Sequence, residues 1–153
     1  MVLAGKLSTE IGIKAPAAKF YDLFAKQLHD VQNHCERVHH TKLHEGEDWH
    51  EVGSALKHWT YVIDGEVHTC QERIESVDEE NKTIKYSLFD GDIGQHYKTF
   101  LLTLQVIENK DGHDTVKWTV EYEMHHEEKE PPHGWMEYVH KCTRDIDANL
   151  LKA

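Results

Sequence analysis

Histidine and cysteine are the residues of this sequence best suited to chemistry, because both bind metal ions and histidine also transfers protons near neutral pH. The chain has 14 histidines and three cysteines. Cys35 and His39 would lie one helical turn apart on a helix, but two ligands do not make a zinc site. The pairs His39-His40 and His125-His126 and the single His133 lack a compact four-ligand spacing. We therefore expect solvated histidines, no metal site and no cofactor.

General acid–base catalysis is the second chemistry to consider, and it needs a positioned polar side chain within reach of a bound substrate. The polar groups best placed to reach an interior site are Tyr86, Gln71, Lys57, Tyr138 and His58. They contain no recognisable triad of nucleophile, base and orienting group. Polar groups that orient a bound ligand are the commoner arrangement. We expect no catalytic residue, and an enzyme acting on a ligand in the same site stays the alternative.

Composition favours a single domain over residues 1–153 whose cysteines are reduced thiols. Three cysteines are an odd number without framework spacing, and the chain has neither an export signal nor a run of eighteen apolar residues. We expect a cytoplasmic protein that does not insert into membranes. The net charge of −11 would repel nucleic acid, and the sequence identifies no protein partner.

Hydrophobic periodicity predicts the elements that must position these side chains. Residues 3–14 alternate as a strand does, and apolar residues after Pro16 recur at helical spacing, in one helix or two. Residues 38–124 have a period of two, with Gly and Asp turn signals at hairpin intervals, which predicts six more antiparallel strands. After an acidic loop over residues 125–130, helical spacing returns behind Pro131-Pro132 and predicts a helix of about five turns. This order belongs to the α+β class.

The segment Val62-Ile63-Asp64-Gly65-Glu66 determines which side chains of one hairpin face the core. It fits either a two-residue turn or a three-residue turn with Gly65 in a bulge. We predict the three-residue turn, which places Tyr61 opposite Val67 and Trp59 opposite Thr69 on one face.

Large apolar residues alternate along the following strands and would share the inner face of a curved sheet. One long helix and two short ones could leave the concave side incompletely filled, and such a space attracts apolar ligands. The same pattern also fits a packed, dry core.

Many short motifs resemble the plant major latex proteins of the Bet v 1-like superfamily, which is related to the pathogenesis-related class ten proteins, and the resemblance covers essentially the whole chain. The motifs are Gly5-Lys6-Leu7, His44-Glu45-Gly46, Trp49, Gly53-Ser54, Trp59-x-Tyr61, Ile63-Asp64-Gly65, Gly91-Asp92, Tyr97-Lys98, Tyr122-Glu123, Asp145-Ile146 and Leu150-Leu151. The resemblance implies the helix-grip fold: a seven-stranded sheet around the C-terminal helix, two short helices, and an interior cavity. It also implies binding of hydrophobic molecules such as steroids, flavonoids, cytokinins or fatty acids, in plant defence or stress responses.

Relatives in class ten carry a glycine-rich loop likened to a phosphate cradle, and its counterpart here is residues 44–53. This loop has four carboxylates and no Lys or Arg, so it would repel phosphate, and we interpret it as a structural turn. The chain also departs from the family pattern in Asn33-His34-Cys35, where prolines are commoner.

The predicted function is therefore a noncatalytic carrier whose cavity is closed at one end by the first helices and lined by the sheet and the last helix. The predicted cavity residues are Phe24, Leu28, Trp59, Tyr61, Val67, Thr69, Gln71, Tyr86, Leu88, Leu102, Val116, Trp118, Tyr138 and Cys142.

Overall fold

The structure is a computed structural model that describes residues 3–126 and 131–152. Of the predicted acidic loop, residues 127–130 lie outside the described part. The elements, in chain order, are β1 (Ala4–Ile13), α1 (Ala17–Lys26), a 3₁₀ helix (Leu28–Asn33), β2 (Val38–Glu45), β3 (Leu56–Ile63), β4 (Glu66–Asp78), β5 (Thr83–Phe89), α2 (Gly91–His96), β6 (Tyr97–Ile107), β7 (Asp114–Met124) and α3 (His133–Lys152).

The seven strands form one antiparallel sheet in the order β1-β7-β6-β5-β4-β3-β2. Successive side chains of a strand point to opposite faces of the sheet. On β5, Ile84, Tyr86 and Leu88 are buried, whereas the residues between them are half-buried. The predicted α+β class, the seven strands and the long C-terminal helix are confirmed. One of the Gly and Asp turn signals predicted between strands, Asp90-Gly91, is instead the start of the short helix α2.

Helix α3 packs on the sheet through one apolar stripe, as its three- and four-residue spacing predicts. Its position is fixed by hydrogen bonds. The indole N–H of Trp118 donates to Thr143 Oγ1 over 2.8 Å, and that hydroxyl donates to the Val139 carbonyl over 2.7 Å. The Asp147 carboxylate accepts from the backbone N–H of Ala15 over 2.8 Å. These bonds set the distance between α3 and the concave face, and so the size of any space between them.

The hairpin between β3 and β4 differs from the predicted three-residue turn. Ile63 pairs with Glu66, so Asp64 and Gly65 form a two-residue turn, and both have positive φ, 52° and 77°. Asp-Gly suits such a turn because its twist matches that of the flanking strands. The prediction was wrong because it placed a bulge where this pair closes the hairpin directly.

A shift of register by one residue moves every side chain of a strand to the other face. Tyr61 pairs with His68 instead of Val67, and Trp59 pairs with Cys70 instead of Thr69. Val67 is consequently 60% exposed, whereas Cys70 is 2% exposed. The concave face of β4 is therefore formed by Cys70 and its alternate neighbours, not by the predicted Val67, Thr69 and Gln71.

Gly91, the first residue of α2, is a position where we expect a strong effect of an added methyl group. It has φ +56°, and a Cβ atom there would collide with the carbonyl oxygen of Thr69 on β4. We expect Gly91→Ala to lower the free energy of unfolding by about 2 kcal/mol. Gly94→Ala is the control, because a Cβ at Gly94 meets nothing within 4 Å. Urea unfolding measures both, and equal stabilities would contradict this account of α2.

Within residues 3–126 and 131–152, no helix is both long enough and apolar enough to span a bilayer. The three cysteines are all buried and form no disulfide in this structure.

Candidate ligand cavity

A space lies between the concave face of the sheet and α3, and α1 and the 3₁₀ helix border it at one end. Its free volume is about 80 Å³. That holds several water molecules, and it is well below the roughly 300 Å³ of a typical ligand pocket. The residues that line it are Phe24, Leu28, Val31, Cys35, Val38, Trp59, Tyr61, Cys70, Glu72, Tyr86, Leu88, Leu102, Trp118, Trp135, Tyr138, Val139 and Cys142.

Aromatic rings occupy much of the interior. Tyr61, Trp135 and Tyr138 form a cluster in which each pair of ring centroids is 5.1 to 5.3 Å apart. Phe24 meets Trp118 edge to face at 5.5 Å. Such contacts contribute beyond area burial. A drug-sized ligand therefore needs one or more of these rings to move.

Most of the predicted cavity residues are brought together around this space. They are Phe24, Leu28, Trp59, Tyr61, Tyr86, Leu88, Leu102, Trp118, Tyr138 and Cys142. Val67, Thr69 and Gln71 do not line it, because the register places them on the outer face. Val116 is fully buried in the core but does not border the space. That the lining residues bind a ligand stays a prediction.

Several lining residues were missed by the sequence analysis: Val31, Cys35, Val38, Cys70, Glu72, Trp135 and Val139. Trp135 and Val139 lie on the same stripe of α3 as Tyr138, so helical spacing could have found them. Cys70 and Glu72 follow directly from the two-residue turn. Cys35 lies between the 3₁₀ helix and β2, where no periodicity applies.

A buried ion pair is the main polar feature of the cavity wall. Lys57 on β3 and Glu72 on β4 are cross-strand partners, with Nζ and Oε2 3.3 Å apart and side chains 0% and 6% exposed. Burial raises the pKa of Glu72, and the nearby Lys57 ammonium acts in the opposite direction. The Trp59 indole also lowers the pKa of Glu72, although its N–H is too poorly placed to form a hydrogen bond. The pair carries no net charge, and only Glu72 borders the cavity.

Tyr86 is the second polar group on this part of the wall. Its hydroxyl is buried and has no hydrogen-bond partner among the described residues. Tyr86 pairs with Ile74, one inward position from Glu72 on β4. Burial raises the pKa of Tyr86 well above its usual value, and the Glu72 carboxylate adds to the rise. Tyr86 therefore offers a neutral hydroxyl close to the Glu72 carboxylate.

The loop over residues 44–53 contains bonds typical of a structural turn. The Asp48 carboxylate accepts from the His50 backbone N–H over 2.9 Å, and His50 Nε2 accepts from the Leu28 backbone N–H over 3.1 Å. Burial lowers the pKa of His50, which favours this neutral acceptor. The loop therefore supports the start of the 3₁₀ helix that borders the cavity.

Metal ligation finds no support in the described ranges 3–126 and 131–152, where no three His, Cys, Asp or Glu side chains are arranged around a metal position. The 3₁₀ helix ends at Asn33, so Cys35 and His39 do not share a helix.

Two surface clefts adjoin the cavity. The first, which we call the Trp135 cleft, is bordered by α2, the β3–β4 turn and the start of α3, and it shares Tyr61 and Trp135 with the cavity. The second, the Cys35 cleft, lies between α3 and residues 32–39 and shares Cys35 and Val38 with the cavity. Single layers of side chains thus separate the interior from solvent at two places.

Comparison with known proteins gives consistent matches along the whole chain. The model of the pathogenesis-related protein Bet v 1 family matches residues 2–153. MLP-like protein 31 of Arabidopsis thaliana is 38% identical over 151 residues, covering 97% of this chain and 87% of the relative. Major latex protein 146 of Papaver somniferum is 30% identical over 149 residues, covering 97% and 92%. MLP-like proteins 28 and 34 of Arabidopsis are longer, and the chain spans 44% and 47% of their lengths.

Solved structures show the same architecture. A crystal structure of ginseng major latex-like protein 151 from Panax ginseng has a TM-score of 0.91 at 32% identity and covers 97% of this chain and 99% of that one. Ara h 8.0201, with a TM-score of 0.75 at 18% identity over 98% and 99% of the two chains, shares the fold. The strand order, the helix across the concave face, and these matches together establish that this chain belongs to the pathogenesis-related protein Bet v 1 family and is similar to its major latex proteins.

Proposed function

We propose that this protein binds and carries hydrophobic small molecules, such as steroids, flavonoids, cytokinins or fatty acids, in the cavity under α3. The observation that carries the proposal is a space between the sheet and α3 whose wall is almost entirely apolar, in a chain of the Bet v 1 family. The proposal includes a cytoplasmic role in plant defence or stress responses, as the resemblance to the major latex proteins implies.

The small free volume determines how binding must proceed. A ligand larger than a few ring atoms displaces part of the aromatic cluster of Tyr61, Trp135 and Tyr138, so its contacts replace ring contacts already present. The net gain is then the apolar area that leaves water, about 25 cal/mol per Å², less the cost of moving the rings. This favours micromolar affinity for several planar compounds over tight affinity for one.

The polar part of the wall indicates how a ligand would be oriented. The Lys57–Glu72 pair is neutral, so a charged ligand group would leave an uncompensated charge in the interior. A hydroxyl is neutral, and it can donate to Glu72 and accept from Tyr86 or from the indole N–H of Trp59. We therefore propose ligands with an apolar ring system and one hydroxyl.

Native mass spectrometry of freshly isolated protein is the first test, because a retained small molecule identifies the ligand class directly. The second is calorimetric titration with two apolar ring compounds that differ in one hydroxyl. We expect the hydroxylated compound to bind about fivefold more tightly, as one net hydrogen bond implies. Absence of binding by both compounds would reject the carrier function.

Tyr86→Phe tests the orientation separately. We expect this variant to lose most of the preference for the hydroxylated compound while remaining as stable as the parent, because the removed hydroxyl has no partner among the residues that the structure describes. Tyr122→Phe is the matched control, since Tyr122 is buried outside the cavity wall. An unchanged preference in Tyr86→Phe would show that the hydroxyl binds elsewhere.

An enzyme of plant specialised metabolism is the second candidate, and the buried Glu72 beside Lys57 is the observation that favours it. A carboxyl whose pKa is raised by burial transfers protons at higher pH than an exposed carboxyl does. Incubation of bound ligands followed by mass analysis separates the two functions. A carrier returns every compound unchanged, whereas an enzyme gives a product that Glu72→Gln abolishes.

A further inference from the structure

Two buried thiols lie together where α3 meets the segment before β2. Cys35 belongs to residues 34–37, which we call the linker, and Cys142 lies on the buried stripe of α3. The two residues are 3% and 7% exposed. Cys35 Sγ is 3.8 Å from the Cys142 carbonyl oxygen, and both residues border the cavity. The two cysteines therefore meet across a seam between elements distant in sequence.

The linker is held against α3 by several polar contacts. The Asp145 carboxylate accepts from the Glu36 backbone N–H over 3.2 Å, and Asn149 donates to the His34 carbonyl over 3.1 Å. Arg37 forms an ion pair with Glu137 at 2.6 Å. Because these contacts lie on both sides of Cys142 along the helix, they keep the thiols adjacent, which removes most of the entropic cost of joining them.

We propose that Cys35 and Cys142 form an oxidative modification site, in which a peroxide converts the two thiols into a disulfide. In the first step the Cys35 sulfur attacks one oxygen of hydrogen peroxide, which breaks the O–O bond and gives a sulfenic acid and water. In the second step the Cys142 sulfur attacks the sulfenic sulfur, forms the S–S bond and releases a second water. The two thiols lose two electrons and two hydrogens in total, and the peroxide is reduced.

Access assigns the first step to Cys35. It borders both the cavity and the Cys35 cleft at the surface, whereas Cys142 borders the cavity and not that cleft. Contact with the Cys142 side chain and burial raise the pKa of Cys35; Asp145 adds to the rise, and Lys141 opposes it. The thiolate is the reactive form, so oxidation is slow at neutral pH and faster at higher pH.

Cys70 provides an internal control. It is as deeply buried and also borders the cavity, but it lies on β4, where its side chain contacts Tyr61. Oxidation that depended only on burial in the cavity would affect Cys70 as well. Oxidation that depends on the seam affects only the other two cysteines.

The test is exposure of the reduced full-length protein to hydrogen peroxide, followed by alkylation of free thiols, intact mass and non-reducing peptide mapping. We expect a product lighter by two hydrogens, a linked peptide pair containing Cys35 and Cys142, and one alkylated thiol at Cys70. Cys70→Ser should behave like the parent, whereas Cys35→Ser and Cys142→Ser should form no such pair. Cys35→Ala and Cys142→Ala replace the serine variants if a buried hydroxyl prevents folding.

Peroxide treatment that leaves Cys35 and Cys142 open to alkylation, or that links Cys70 instead, would overturn the proposal. A second readout is thermal unfolding of the oxidised protein. The bond closes a loop between residues 107 apart in sequence, so the midpoint should rise on the order of 10 °C and return on reduction. An unchanged midpoint in a fully linked sample would show that the disulfide is strained, and would reject the proposal that the fold places the two thiols for its formation.

Oxidation should also slow the exchange of apolar ligands, because it fixes the linker to α3 at the cavity wall; this consequence rests on the proposed function. Equilibrium dialysis of an apolar ring compound before and after oxidation measures it. The linked peptide and the dialysis are independent, so failure of ligand binding would leave the modification site standing. A linked protein with unchanged exchange would reject the coupling between the seam and the cavity.

Discussion

Lys57→Met is expected to lower the free energy of unfolding by about 3 to 5 kcal/mol, because it leaves the Glu72 carboxylate buried without its counter-ion. The two groups are 3.3 Å apart and almost completely excluded from solvent. Methionine retains the length of the lysine stem, so packing changes little. Urea unfolding measures the loss, and the double variant Lys57→Met/Glu72→Gln should recover most of it, because no charge remains buried.

The pH dependence of this loss distinguishes charge from packing. Burial raises the folded-state pKa of Glu72 above its unfolded value, so its contribution to stability is fully present below the unfolded pKa and is lost as pH rises through the folded pKa. The Lys57 ammonium lowers the pKa of Glu72, so its removal raises that pKa further and increases the loss of stability at high pH. The gap between Lys57→Met and the parent should thus be widest near about pH 7 and narrow toward about pH 4.

Lys26→Met is the matched control for this effect. Lys26 pairs with Asp22 at 3.7 Å, but the side chains are 64% and 48% exposed, and exposed ion pairs contribute little. We expect this variant to be nearly as stable as the parent at every pH. Equal losses in the two lysine variants would show that the interior pair is reached by water.

Trp135→Ala is expected to lose about 3 to 5 kcal/mol of stability and to join two spaces that the parent keeps apart. The Trp135 ring contacts Tyr61, Phe100 and Tyr138, each at 5.1 Å between centroids. It also borders both the cavity and the Trp135 cleft. Its removal should enlarge the interior and shorten the residence time of apolar ligands, since it opens a direct route to solvent.

Thermal unfolding and stopped-flow ligand release measure the two effects of Trp135→Ala. Trp49→Ala is the matched control, because Trp49 is half-buried beside His29 on the loop and does not line the cavity. We expect little change in ligand release in that variant. Faster release from both variants would mean that general loss of stability, and not an opened wall, controls ligand escape.

The elements of this fold were predictable because their signals are local. Alternation along β5, β6 and β7, and the helical stripe of α3, each depend on side chains a few positions apart, so the α+β class followed from the sequence. The inward aromatic residues Tyr86 and Trp118 followed too. The prediction for β4 was wrong because of one turn. Counting Asp64-Gly65 as part of a longer loop assigned Val67, Thr69 and Gln71 to the inner face of the sheet instead of the outer one.

Contacts between distant elements could not be predicted in the same way. Glu72 is a charged residue between two half-buried polar residues on β4, and only pairing with Lys57 makes its burial tolerable. Cys35 is in a segment without periodicity, and its position depends on the contacts of residues 34–37 with α3. Val116 was predicted on the correct face but lies beyond the end of the cavity, because alternation gives the face of a residue and not its distance along the sheet.

The position of the tryptophans gives this protein a built-in optical reporter. Of its four tryptophans, Trp59, Trp118 and Trp135 border the same interior space, on β3, β7 and α3, and Trp49 is outside it. Any molecule that absorbs near the indole emission band and enters that space comes within energy-transfer distance of three donors at once. Occupancy can therefore be followed in the unlabelled chain.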